Sequence, residues 1–229
     1  MLNKYFGNYA GNATALRENM GKFTGNIDEM GSNFFAGVKV YPPLGFDPWP
    51  ISHKEKNKVE FLYGFCCEKK IPITTHCNNG GFMVDSILAT QRRSSPEKWR
   101  EVLSVEKYSG LKLNLAHMGK QKGLFSYGQK SWADIVLKLV ATYDNVYTDF
   151  SYNEFKDKDY KNLKQLIEIK SKELNYDLKN KILFGSDFMM CLARVDSYND
   201  YLSTFVQTKH FTGQDKERFC SLNPQKFLY

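Results

Sequence analysis

The sequence predicts an α/β fold built on a parallel sheet, and three observations carry that expectation. Short runs rich in apolar and β-branched residues alternate with longer amphipathic stretches, the runs recur at a steady interval, and four of the five end on a titratable residue. Taking Val38, Ile73, Asn114, Tyr147 and Leu183 as strand centres gives intervals of 35, 41, 33 and 36 residues, the period of repeated βα units. Right-handed crossovers then bring the carboxyl ends of all five strands to one rim.

In chain order, residues 1 to 33 are polar, carry five glycines and offer only a weak helix from Ala13 to Met20. Phe34 to Tyr41 reads as the first strand, closed by Pro42-Pro43. Lys54 to Lys70 places Val59, Leu62, Tyr63 and Cys66 at helical spacing. Ile71 to Thr75 is β-branched, with Pro72 tolerated near its start, and gives way at His76 to a polar, glycine-bearing loop. A short helix runs to Thr90. Ser95-Pro96-Glu97 supplies a cap and a first-turn proline for a helix to Tyr108.

Strand Lys112 to Ala116 ends in His117, and a glycine-containing loop leads to the helix Ser131 to Tyr143. Strand Asn145 to Thr148 ends in Asp149, helix Tyr160 to Leu174 comes next, and strand Lys181 to Phe184 ends in Gly185-Ser186-Asp187. Helices near Ser197 to Thr208 and Gln214 to Leu222 close the chain, with Asn223-Pro224 opening a last turn.

The composition removes several function classes. At 229 residues and 42% hydrophobic content the chain can bury a substantial core. The formal charge of +7 is spread as lysines interleaved with Asp and Glu along helical stretches, which reads as solvated helix faces, and no nucleic-acid-binding motif accompanies it. An anionic substrate is compatible with the excess. Five cysteines without CxxC spacing argue against a disulfide framework or a cysteine-ligated zinc and for a reducing cytoplasm. No stretch has the length of a signal-peptide core or a membrane span. No phosphate loop, dinucleotide fingerprint or Ser-His-Asp order is present.

The chemistry concentrates at the strand ends. His76, His117, Asp149 and Asp187 together offer imidazole nitrogen and carboxylate oxygen, the donor set for zinc, iron or manganese. Each alone has a structural reading: Asp149 and Asp187 can cap the segments after them, and one histidine can be a satisfied core residue. Four at successive strand ends favour a site. Lys39 shares a strand face with Tyr41 and can project into a barrel or lie at the surface, while Phe46, Trp49 and Phe82 in the loops can line an apolar pocket or cover the core. His53 and His210 read as structural or exposed.

The segments GVKVYPPLGFDP, IPITTHCNNGG, SPEKWREVL, LKLNLAHMG, NVYTDFS, ILFGSD and NPQKFL, in this order from about Phe35 to Leu228, resemble the amidohydrolase superfamily, in its amidohydrolase-related group of metal-dependent hydrolases and decarboxylases. The resemblance implies a TIM-barrel-type (β/α)8 fold in which Phe35 to Pro42 is the fourth strand and Ile182 to Asp187 the eighth. It implies that His76 is a metal ligand, that His117 binds metal or substrate, and that Asp187 binds metal and takes the proton of an attacking water. A divalent metal is implied as well, zinc first, with manganese or iron as alternatives. The substrate implied is a small amide, lactone, ester or carboxylate, with Lys39, Tyr41, Asp149 and Phe82 as candidate contacts.

The family's first-strand His-x-His pair has no counterpart among His53, His76, His117 and His210. The expectation is therefore an incomplete barrel of about five βα units over 34–229, with 1–33 a remnant of a preceding unit. Such a chain is expected to show weak activity alone and to form a homo-oligomer or pair with a partner chain that completes the barrel. The contrasting expectation is a non-catalytic barrel module.

Overall fold

The computed structural model describes residues 1–121 and 131–229. Most of the glycine-containing loop expected after His117 lies outside the described residues. Five parallel strands form one sheet in the order of the chain: β1 (Val38–Val40), β2 (Ile73–His76), β3 (Leu113–Ala116), β4 (Val146–Asp149) and β5 (Ile182–Leu183). Val38 lies opposite Ile73, Ile73 opposite Leu113, Leu113 opposite Val146, and Thr148 opposite Ile182. This register levels the carboxyl ends of the strands, which is what assembles the site.

The helices are α1 (Leu2–Phe6), α2 (Ala13–Gly21), α3 (His53–Lys69), α4 (Ile87–Ser94), α5 (Pro96–Leu103), α6 (Trp132–Thr142), α7 (Asp157–Leu174), α8 (Tyr198–Gln207), α9 (Gly213–Glu217) and α10 (Asn223–Leu228). Local chemistry sets several of their ends. Ser95 caps α5 through Glu97 N with Pro96 in the first turn, Ser131 and Asp134 close a capping box on α6, and Asn175 ends α7 in the left-handed conformation.

Three elements depart from the sequence expectation. β1 begins at Val38 rather than Phe34 because Pro72, the residue before β2, has no N–H to extend the ladder. Val38 N instead donates to the Pro72 carbonyl at 2.9 Å, and a Cβ on Gly37 would fall 2.4 Å from that same oxygen. The helix expected to Tyr108 stops at Leu103, where Val105 turns extended before a single 3₁₀ turn. Between α9 and α10 the backbone stays helical through a π turn over Arg218–Leu222, the local adjustment that lets Pro224 sit inside a helical path.

Strand alternation sends Val38, Val40, Ile73, Leu113, Leu115, Val146 and Ile182 into the main core beneath the helices. The opposite face carries Lys39, Thr74, Asn114 and Tyr147 side by side. On that face Tyr147 and Leu183 form a small cluster with Phe227 of α10, so α10 covers its far end and leaves the rim end clear. Phe6 joins the main core and Tyr9 Oη donates to the Ala36 carbonyl at 2.8 Å, which ties the first residues to the sheet. No helix among the described residues is long and apolar enough to cross a membrane. All five cysteines are free.

Candidate active site

A cavity of about 240 Å³ opens at the carboxyl ends of the strands, lined by Tyr41, His76, Asn78, Gly80, Gly81, Phe82, His117, Tyr152, Asp187 and Met190. Of His76, His117, Asp187, Lys39, Tyr41, Asp149 and Phe82 it brings together five. A second cavity, about 280 Å³, lies against His117 beside Lys120, Glu154 and Asp159. It shares only His117 with the candidate set, so the chemistry is assigned to the smaller one.

The two histidines form the core of the site. His117 Nε2 lies 3.1 Å from His76 Nδ1. The outer nitrogens fix which ring positions carry protons. His76 Nε2 is 2.8 Å from the Gly80 carbonyl oxygen, and His117 Nδ1 is 2.9 Å from the Ser151 carbonyl oxygen. A carbonyl only accepts, so both outer nitrogens carry the proton in the neutral rings. The two inner nitrogens are then both lone pairs facing one another.

The spacing of such a pair can be compared with that of two ligands on one metal ion. Two nitrogen ligands of a tetrahedral zinc, each at ~2.0–2.1 Å, stand ~3.3 Å apart, close to the observed 3.1 Å. Among the described residues no three His, Cys, Asp or Glu side chains converge as a ready metal site. By this distance the histidine pair fits as two ligands of a metal ion.

Asp187 is the third charged member. It is half-buried, stands in the left-handed region at φ +54°, and its carboxylate makes no hydrogen bond among the described residues. Tyr41 packs its ring 4.7 Å from that of His76, and its oxygen accepts from Phe82 N at 3.2 Å, which leaves the phenolic hydrogen to donate. Burial raises the Tyr41 pKa, assisted by the Asp187 charge and opposed by the Phe82 hydrogen bond, so the phenol stays protonated at neutral pH. Gly81 has no room for a side chain: at φ +122° a Cβ would lie 2.5 Å from Tyr41 Oη and 3.2 Å from His76 Nε2.

Lys39 and Asp149 do not line the cavity. Lys39 is exposed on the sheet face below it. Asp149 is buried, with both oxygens turned to internal donors. Phe46 and Trp49 pack against the main core instead, Trp49 beneath the Lys56 ammonium at 4.0 Å. His53 is exposed at the start of α3, and His210 pairs with Asp157 at 3.0 Å. Asn78, Tyr152 and Met190 were not anticipated: they reach the cavity from loops, where no strand period announces which way a side chain turns.

Burial is the largest influence on His76, and with the neighbouring His117 and Lys39 charges it lowers the imidazole pKa from 6.5 to about 4, against the opposing Gly80 carbonyl. Between these values the unfolded chain binds a proton that the native one refuses. Stability is therefore full above pH 6.5 and is lost as pH falls toward 4, by up to about 3 kcal/mol. Urea unfolding across this range is expected to show that loss, and His76→Asn to flatten it; identical pH profiles for the two proteins would contradict it.

The profile of a protein family described as Amidohydrolase matches residues 1–229. No curated protein matches. Among solved structures, a probable 2-pyrone-4,6-dicarboxylic acid hydrolase from Acinetobacter baumannii, with citric acid bound, superposes with a TM-score of 0.55 at 15% identity over 86% of this chain and 65% of its own. A candidate enzyme of the same description from Pseudomonas putida gives 0.54 at 12% identity over 95% and 68%. A zinc-bound amidohydrolase from Burkholderia multivorans gives 0.49 at 11% over 94% and 69%. The first two likenesses show the fold, that of TIM-barrel amidohydrolases. The chain spans about two thirds of the length of either structure.

Proposed function

Since the chain belongs to the amidohydrolase family, we propose that it is a metal-dependent hydrolase of small amides, lactones or esters, with its chemistry at the His76–His117–Asp187 cavity. The observation that carries this reading is the facing pair of bare imidazole nitrogens beside an unpartnered carboxylate. His76 Nδ1 and His117 Nε2 would hold the ion, and Asp187, which lines the same cavity, would act as base. A divalent metal, zinc first and manganese or iron as alternatives, would supply Lewis acidity toward water and toward the substrate's carbonyl oxygen.

The protein's own groups do the rest. Asp187 accepts the proton of the attacking water and returns it to the leaving group. Tyr41 donates its phenolic hydrogen to the oxygen on which negative charge develops. Phe82, Tyr152 and Met190 flank the substrate's apolar part. Lys39, lower on the same sheet face, is available to a substrate that carries a carboxylate.

The test is a zinc-loaded screen of small esters, lactones and amides with a chelated control. Zinc-dependent turnover of one class supports the reading, and turnover unchanged by the chelator would overturn it. The second reading is a non-catalytic module that meets a partner chain or a second copy. The open sheet favours it, since β1 and β5 each pair on one side only among the described residues and such edges invite further strands. The zinc-loaded screen separates the two: an oligomer that turns over none of these classes favours the module, and zinc-dependent turnover argues against it.

A further inference from the structure

We propose that Asp149, acting with Ser151, is a positioning residue that holds the His117 backbone in a left-handed turn and its ring in the Nδ1–H tautomer, so that the Nε2 lone pair faces His76. The proposal rests on reading the histidine pair as metal-holding, but its first measurement does not need the metal. His117 and Met118 stand at φ +65° and +51°, a conformation that non-glycine residues keep only where their surroundings enforce it.

Both backbone groups of His117 are held from outside. Its N–H donates to Asp149 Oδ1 at 3.0 Å, and its carbonyl accepts from Asn153 Nδ2 at 2.9 Å. The ring is held by Ser151. Nδ1–H points to the Ser151 carbonyl at 2.9 Å and lies 3.0 Å from its hydroxyl oxygen. That hydroxyl cannot serve Nδ1 as donor and is spent elsewhere: it donates to Asp149 Oδ1 at 2.5 Å, and Ser151 N donates to the same oxygen at 3.0 Å. Asp149 Oδ2 takes Asn114 Nδ2 at 2.7 Å.

One carboxylate thus fixes both the residue that carries the ring and the residue that orients it. Four donors saturate it, which assigns Asp149 a place behind the site instead of in contact with substrate. Its counterpart lies on the next strand end. A Cβ on Gly185 would stand 3.0 Å from Ser151 Cβ, so the backbone leading to Asp187 passes close to the same serine.

The first readout is the ring-nitrogen NMR spectrum of His117 in the metal-free chain, where a solvated neutral imidazole favours Nε2–H. Wild type is expected to show Nδ1–H. Asp149→Ala is expected to shift the ring toward Nε2–H and to weaken zinc binding by about 10–100-fold, with Asp149→Asn, which keeps an acceptor oxygen, recovering most of both. If Asp149→Ala does not fold by circular dichroism, Ser151→Ala is read in its place, with a smaller shift in the same sense. Nε2–H in wild type, or folded variants with unaltered tautomer and zinc affinity, would overturn the proposal. An Asp149-dependent Nδ1–H ring in a chain that binds no zinc would sink the metal reading and leave the positioning role standing.

Discussion

Asp187→Asn is expected to lower the zinc-dependent turnover of the chain by about 10²–10⁴-fold, the ordinary contribution of a general base, while the fold stays intact. The carboxylate stands half-buried in the cavity without a hydrogen-bonding partner among the described residues, so its free lone pairs are available to a water proton. Asparagine keeps the shape and loses that capacity. It also tolerates the left-handed backbone at φ +54° better than almost any other non-glycine residue. The Asp187 carbonyl accepts from Met190 N and Cys191 N, contacts of the main chain that the substitution leaves alone. The check is kcat with matched zinc content in both proteins and thermal unfolding as a fold control. Turnover indistinguishable from wild type would remove Asp187 from the chemistry.

The second large effect is on stability. Phe150→Ala is expected to cost about 3–5 kcal/mol, a large share of the ~5–15 kcal/mol that holds a typical domain folded. Phe150 is fully buried, and its ring meets those of Tyr160, Phe184, Phe205 and Phe219 at centroid distances of 6.3, 5.8, 5.7 and 5.9 Å. These rings come from α7, the end of β5, α8 and the π turn. They cannot all close on the space left behind, because Phe184 and Phe205 already stack on each other at 4.7 Å. Phe150 also sits between Asp149 and Ser151, so the loss should loosen the group that orients His117. Urea unfolding measures it, and a change below about 1 kcal/mol would mean that the cluster is not a structural unit.

The placement of the site was legible because strand arithmetic is simple. Parallel strands of matched register must end together, so His76, His117 and Asp187 could be put on one rim from spacing alone, and the structure brings all three to one cavity. Asp149 shows the limit of that reasoning. The same rule carries it to the rim but says nothing of its partners, which lie on Asn114 of the neighbouring strand and on Ser151 around a turn. The turns themselves were not legible. His117, Met118, Tyr152 and Asp187 all take positive φ without being glycine, which local propensity does not announce, and at His117 the bonds from Asp149 and Asn153 hold it. The length of β1 was overestimated for a related reason: Phe34 to Tyr41 has strand-like residues throughout, yet its start is decided across the sheet by Pro72.

The measurement that bears most directly on this account is calorimetric titration of zinc into the chelator-stripped chain, run beside His76→Ala and His117→Ala. The facing lone pairs predict one saturable site per chain in wild type, lost in either variant, with each variant still folded. A wild-type chain that takes up no zinc, or variants that bind as wild type does, would contradict the claim that these two nitrogens hold a metal.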